Sequence, residues 1–200
     1  MHPNAAFRFA PDDPALAFVA AYGFAHLFGQ TPDGPRVAHV PLLVTATGHI
    51  RFHLANNNAL VPHLPAITVL ASIGGPGSYV SPNWYAEPRN HVPTWNYRSV
   101  EIEGRVRALD SVELEALLDF AAATFEPRVG QDWTMAKMER ARAEAMMRAI
   151  TGFELTPTAI RSTDKASQNR SDADARGVVA AMEAIGDTAG AAAIRRARAW

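Results

Sequence analysis

The segment Ile50–Ala55, IRFHLA, changes character at every step: Ile50, Phe52 and Leu54 are apolar, with Arg51 and His53 between them. Residues 97–110, YRSVEIEGRVRALD, repeat the pattern, setting Val100, Ile102, Val106 and Ala108 against Glu101, Glu103, Arg105 and Arg107. A period of two is the mark of a half-buried β-strand, because successive side chains leave opposite faces of the sheet. Two such stretches commit the chain to a sheet with one covered face. Gly104 interrupts the second and predicts a bend or bulge there.

Further strands follow from similar signals. FAHLFG (24–29) and PRVAHVPLLVT (35–45) flank a TPDG turn, and AITVLASI (66–73) is nearly continuous in apolar residues, as expected for a strand covered on both faces. TGFELTPTAIRS reads as a final strand in which Pro157 implies an edge or a bulge. Helices are expected at PDDPALAFVAAYGF, capped by Asp12 or Asp13 with Pro14 in the first turn and Gly23 as the stop. SVELEALLDFAAATFE predicts a second helix, capped by Ser111 with Leu114, Leu117 and Leu118 on one face. TMAKMERARAEAMMRAI predicts a third, capped by Thr134, with Met138, Ala141, Ala145 and Met146 in a stripe. Alanine-rich helix closes the chain, broken at Gly186. Strands early and helices late predict a mainly β architecture with outer helices (α+β), an antiparallel barrel or sandwich. We expect one domain, with residues 1–170 forming its body and 171–200 a helical tail.

Composition narrows the function. A net charge of −1 gives the chain no electrostatic footprint for nucleic acid or anionic membrane. The absence of cysteine excludes disulfides, thiolate catalysis and cysteine-bound metal, and fits a reducing, cytoplasmic setting. The N-terminus lacks the form of a signal peptide, and no apolar run approaches bilayer length. His49 and His53 share a strand face about 13 Å apart, too far to hold one metal.

Three stretches carry candidate sites. GGPGSYVSPNWY (74–85) combines glycines, Pro76 and Pro82 with Tyr79, Ser81, Trp84 and Tyr85. Permissive backbone beside planar, polar-tipped side chains suits a flat heterocycle such as a flavin, though composition alone favours a packed loop whose aromatics fill a dimer interface or cap a barrel. HVPTWNY places Thr94 and Asn96 beside Trp95. DKASQNR gathers Lys165, Ser167, Gln168, Asn169 and Arg170, groups suited to a phosphate. Taken alone, this last stretch reads rather as a solvated loop before a helix. The terminal RRARAW reads as cations complementing a helix end.

GPGSYVSPNWY, VPTWNY and SQNR, in this order, resemble the PaiB-like family, whose members are described as FMN-binding negative transcriptional regulators. FRFAPDDPALAFVAAYGFAHLF, IRFHLANNN, IEGRVRALD, AITGFEL and SDADARGVVAAME extend the resemblance over nearly the whole chain. It implies a split β-barrel of the pyridoxamine-phosphate oxidase and flavin-reductase type, a homodimer, and FMN in a groove between subunits. It also implies that Arg51, His53 and Asn56 join the aromatic and polar stretches in holding the cofactor. Asn56 stands where the family has an arginine, and Ala59 where it has a proline. The expected function is therefore an FMN-binding negative transcriptional regulator, in a chain whose sequence gives no support for direct DNA binding. A flavin-dependent oxidoreductase acting on a small substrate, and a barrel dimer that has lost its flavin, are the alternatives.

Overall fold

The computed structural model describes residues 4–9, 14–130 and 132–200. Helix α1 (Ala15–Tyr22) leads into β1 (Phe24–Thr31), β2 (Gly34–Pro41), β3 (Leu43–Val44) and β4 (Ile50–Ala55). Strands β5 (Thr68–Val80) and β6 (Thr94–Ala108) follow, then α2 (Ser111–Phe125), α3 (Arg140–Met147), β7 (Ile150–Lys165), α4 (Asp172–Ala184) and α5 (Thr188–Arg198). The strands form one antiparallel sheet in the order β2-β1-β5-β6-β7-β4-β3. The sheet and its five helices make the α+β split barrel that the sequence predicts.

The chain groups into two compact units. Leu16–Ile73 and Glu101–Ile160 make the larger one. Its core includes Leu27, Val40, Phe52, Ile102, Phe153 and Leu155, all buried. Phe52 pairs in register with Phe153 across β4 and β7, and their rings stack at 5.5 Å. Strand β2, at one end of the sheet order, also approaches β4 near the other, so the sheet curls back on itself. The second unit comprises the described residues through Ala15, Gly74–Val100 and Arg161–Trp200. There α4 and α5 cover a core containing Val80, Tyr85, Ala166, Val178, Met182 and Ile194.

Several local expectations change. Strand β5 alternates, with Val69, Ala71 and Ile73 buried and Thr68 exposed, so it is not covered equally on both faces. It continues through Gly74, Pro76 and Gly77, none of them in a turn and neither glycine at positive φ. Gly104 is not a bulge: the inward run Val100, Ile102, Gly104, Val106 passes through it without a slip. A Cβ there would lie 2.3 Å from the Thr156 carbonyl oxygen, so close backbone approach explains the glycine. Ala108 is exposed, outside that inward run. Helix α2 is capped by Asp110 rather than Ser111, in a box with Glu113 (2.8 and 3.1 Å). Thr134 caps nothing. A short 3₁₀ turn (Met135–Lys137) precedes α3, whose buried residue is Ala143, while Ala141, Ala145 and Met146 face solvent. Pro157 lies beyond the last β4–β7 pair, Ile50↔Leu155, where no β4 partner asks for its missing N–H. Gly23 and Gly186 both stop their helices at positive φ, while Asp12 and Asp13 lie outside the described residues.

Buried Glu154 of β7 ties three strands and a helix together. It accepts from Arg51 on β4 (2.8 Å) and Arg107 on β6 (2.9 and 3.1 Å), and Arg107 also grips Glu113 of α2 (2.7 and 2.8 Å). Burial pushes the Glu154 carboxyl upward, but hydrogen bonds and charge from the two arginines hold it below its ordinary value. A lowered carboxyl stabilises the fold above its unfolded value, near 4.5, and that stability is lost as pH falls through the folded one. Glu154→Gln is expected to lower stability at neutral pH by about 1–3 kcal/mol. It also flattens the acid side of the Tm–pH curve, as differential scanning calorimetry can check.

Candidate functional site

Strand alternation sorts the candidate residues before any ligand is considered. On β6, Thr94 and buried Asn96 point to one face, while Trp95 points to the other and is 56% exposed. On β5 the outward residue is Tyr79, 47% exposed, and its ring meets that of Trp95 edge to face at 5.8 Å. The aromatic pair and the Thr94–Asn96 pair therefore occupy opposite faces of β6.

The inward face carries a polar corner. Lys165, at the end of β7, donates from Nζ to Thr94 Oγ1 and lies 5.7 Å from the centre of the Phe7 ring. Asn96 Nδ2 donates to Ser167 Oγ (2.9 Å), leaving the buried Asn96 Oδ1 without a partner among the described residues. An unsatisfied buried acceptor costs about 1–3 kcal/mol, so its retention calls for a functional explanation. Burial first, then repulsion from Arg170, pulls the Lys165 ammonium below its ordinary pKa. No carboxylate pairs with Lys165 among the described residues.

Arginines pin the turn that follows. Ser167 sits in the left-handed region (φ +60°), which a non-glycine residue tolerates only when its surroundings hold it there. Gln168 closes the turn on its own backbone, donating to the Asp164 carbonyl (2.6 Å) and accepting from the Ala166 amide (2.7 Å). Arg198 of α5 donates to the carbonyls of Ser167 (3.0 Å) and Arg170 and to Asp172 (2.5 Å). Arg196 holds the buried Asp164 carboxylate at 2.8 and 2.9 Å, and Arg98 adds an ion pair at 3.2 Å. Arg170 stacks on Tyr85 and bonds His91 Nδ1 (3.0 Å), while Asn169 is exposed.

The remaining candidates do structural work. Ser81 caps the short turn Pro82–Trp84 by accepting from the Asn83 amide, and Trp84 packs against the α4–α5 core. A Cβ on Gly177 would meet the Trp84 carbonyl at 2.2 Å, so this turn lies directly on α4. Arg51, His53 and Asn56 belong to the larger unit. Arg51 is held by Glu154. Asn56 donates to the Arg148 carbonyl and accepts from Thr151, both at 2.7 Å. His53 lines an apolar cavity beneath α2 and α3. Sequence reasoning passed over Asp164, Arg98, Arg196 and Arg198. The terminal RRARAW was the available signal, but helix-dipole logic explained it without a partner.

A curled antiparallel sheet with outer helices and a cationic corner at one strand end defines a split-barrel protein of the flavin-binding class. Residues 1–159 match the family described as "Putative FMN-binding domain", and the chain belongs to it; its cofactor is a flavin. The protease synthase and sporulation protein PAI 2 of Bacillus subtilis is 28% identical over 170 residues, spanning 83% of this chain and 81% of its own. Among solved structures, the FAD and heme binding protein of Mycobacterium smegmatis has a TM-score of 0.59 at 14% identity, over 81% of this chain and 74% of that one. The flavocytochrome Anf3 of Azotobacter vinelandii has a TM-score of 0.57 at 14% identity, over 81% and 71%. These two structures share the fold.

Arg198→Ala is expected to release the turn. Hydrogen exchange at residues 167–170 should rise by about tenfold or more, with the amides of β4 unchanged.

Proposed function

We propose that Lys165, Thr94 and Arg170 hold the phosphate of FMN, and that the outward Tyr79–Trp95 pair forms part of a homodimer seam. The Lys165 ammonium carries the first reading. It is half-buried, lies close enough to a second cation to feel its charge, and has one hydrogen bond in use of the three it can give. Burial and repulsion both disfavour its charge, and the negative charge of a phosphate beside it would offset them. Asn96 Oδ1 then stands as an acceptor for a ligand N–H once the Ser167 turn adjusts. Arg51 and Asn56, already engaged by protein partners, contribute less to the phosphate than the resemblance alone implies.

Bound FMN supplies a redox-active ring, and this chain's residues bind and orient it. The name of the Bacillus subtilis relative refers to protease synthase and sporulation, and on that name we read a regulatory role for this chain. We read the regulation as coupled to flavin occupancy in a cytoplasmic dimer. Direct DNA contact is not part of this reading, since a net charge of −1 gives little attraction for phosphate backbone.

Titration of flavin fluorescence tests the site. Lys165→Ala should weaken FMN binding by about ten- to a hundredfold, the loss expected for a charge-assisted bond. A lowered lysine pKa means the cation is present below that pKa and lost above it. FMN affinity should therefore fall as pH rises, beginning below the ordinary lysine range, and Lys165→Arg should remove that early fall. Unchanged affinity in Lys165→Ala would place the phosphate elsewhere. For the seam, Trp95→Glu should shift sedimentation velocity from dimer to monomer.

A further inference from the structure

The cavity lined by His53 lies in the larger unit, and none of its lining residues belongs to the phosphate corner. Its volume is about 460 Å³, within the range of small-molecule sites. Phe125, Trp133, Met135, Met146 and Met147 form much of its wall, beneath α2 and α3. Among the described residues only His53 and Glu126 bring ionisable groups to the lining, and no cation does. Two cations that neighbour the lining in sequence are committed elsewhere. Arg128 donates to the carbonyls of Ala20 and Ala21 and stacks on Phe125, and Lys137 pairs with Asp132 at 2.6 Å.

That chemistry selects an occupant. Aromatic and thioether walls favour a flat apolar body, and unbranched methionines adapt to different outlines. An anion is disfavoured twice, by the Glu126 carboxylate and by the lack of a cation among the described lining residues. Burial lowers the His53 pKa, so at neutral pH the imidazole offers one acceptor nitrogen and one N–H. A ligand N–H or O–H meets that acceptor, and Glu126 provides a second. The phosphate of FMN has no partner here.

We propose that this cavity is a separate binding site for an uncharged or weakly basic aromatic molecule carrying an N–H or O–H donor. The flavin site and this one then sit on different parts of the chain, and the protein takes two ligands of opposite chemistry.

The test uses two dyes of one ring system on the full, FMN-saturated protein. N-phenyl-1-naphthylamine is neutral with one N–H, and 8-anilino-1-naphthalenesulfonate adds a sulfonate to the same skeleton. The neutral dye is expected to bind saturably at one per chain and to quench Trp133. The sulfonate should bind about tenfold or more weakly, the penalty of an unpaired charge. Met146→Glu, at a half-exposed position that tolerates a charge in the fold, should abolish neutral-dye binding and leave FMN affinity unchanged. Competition between dye and FMN would overturn the proposal, since one site would then serve both. Equal affinity for the two dyes would also overturn it. So would loss of dye binding as protein concentration is raised through self-association, because the cavity would then be a subunit interface.

Discussion

A β-strand hands its residues alternately to two faces, and in β6 that constraint decides what the rest of the molecule can be. Thr94 and Asn96 turn inward to Lys165 and Ser167, while Trp95 turns outward to Tyr79. The motif reads as a single aromatic and polar cluster in one dimension. In three dimensions it is two surfaces back to back. A ligand on one face cannot be stacked by the ring on the other within the same chain, so the aromatic pair does not stack a ligand held by Thr94 and Asn96. The same alternation fills the larger unit's core from β4 and β7 and leaves Arg51 and His53 on the opposite face.

Much of the fold was legible in the sequence because burial has a period. IRFHLA and VEIEGRVR became the strands that their alternation predicted, and α2 was evident from its leucines. What failed was punctuation. Glycine and proline in GGPGSYV suggested turns, yet a strand can run through all of them when no side chain has to fit and no partner needs the proline's N–H. Gly104 looked like a bend and proved to be a place where two backbones nearly touch. Single-sequence reasoning sees that a glycine is needed but not whether φ or space requires it.

The candidate site was legible by composition but not by wiring. Lys165, Thr94 and Asn96, candidates from two separate motifs, lie at one corner, whereas the groups that pin the adjoining turn were invisible. Asp164 was one acid in a polar stretch, and Arg196 and Arg198 were cations at a helix end. Their partners lie about thirty residues away in sequence, at separations no local pattern encodes. Asn56 teaches the converse. Read as the loss of an arginine, it turns out to hold the end of β4 to the chain entering β7, a local duty that an arginine's longer fork would not perform in the same way.

The tie from Arg198 to the Ser167 turn also orders events in time. A chain emerges from the ribosome from its N-terminus, at about 5–20 residues per second, and earlier parts fold first. Residues 165–170 emerge well before the arginines that fix them, 28 residues separating Arg198 from Arg170. The barrel strands can pair during that interval, while the left-handed turn at Ser167 has Gln168 and Asn96 but not yet Arg198 to hold it. The Ser167 turn is therefore among the last parts of the nascent protein to be fully braced.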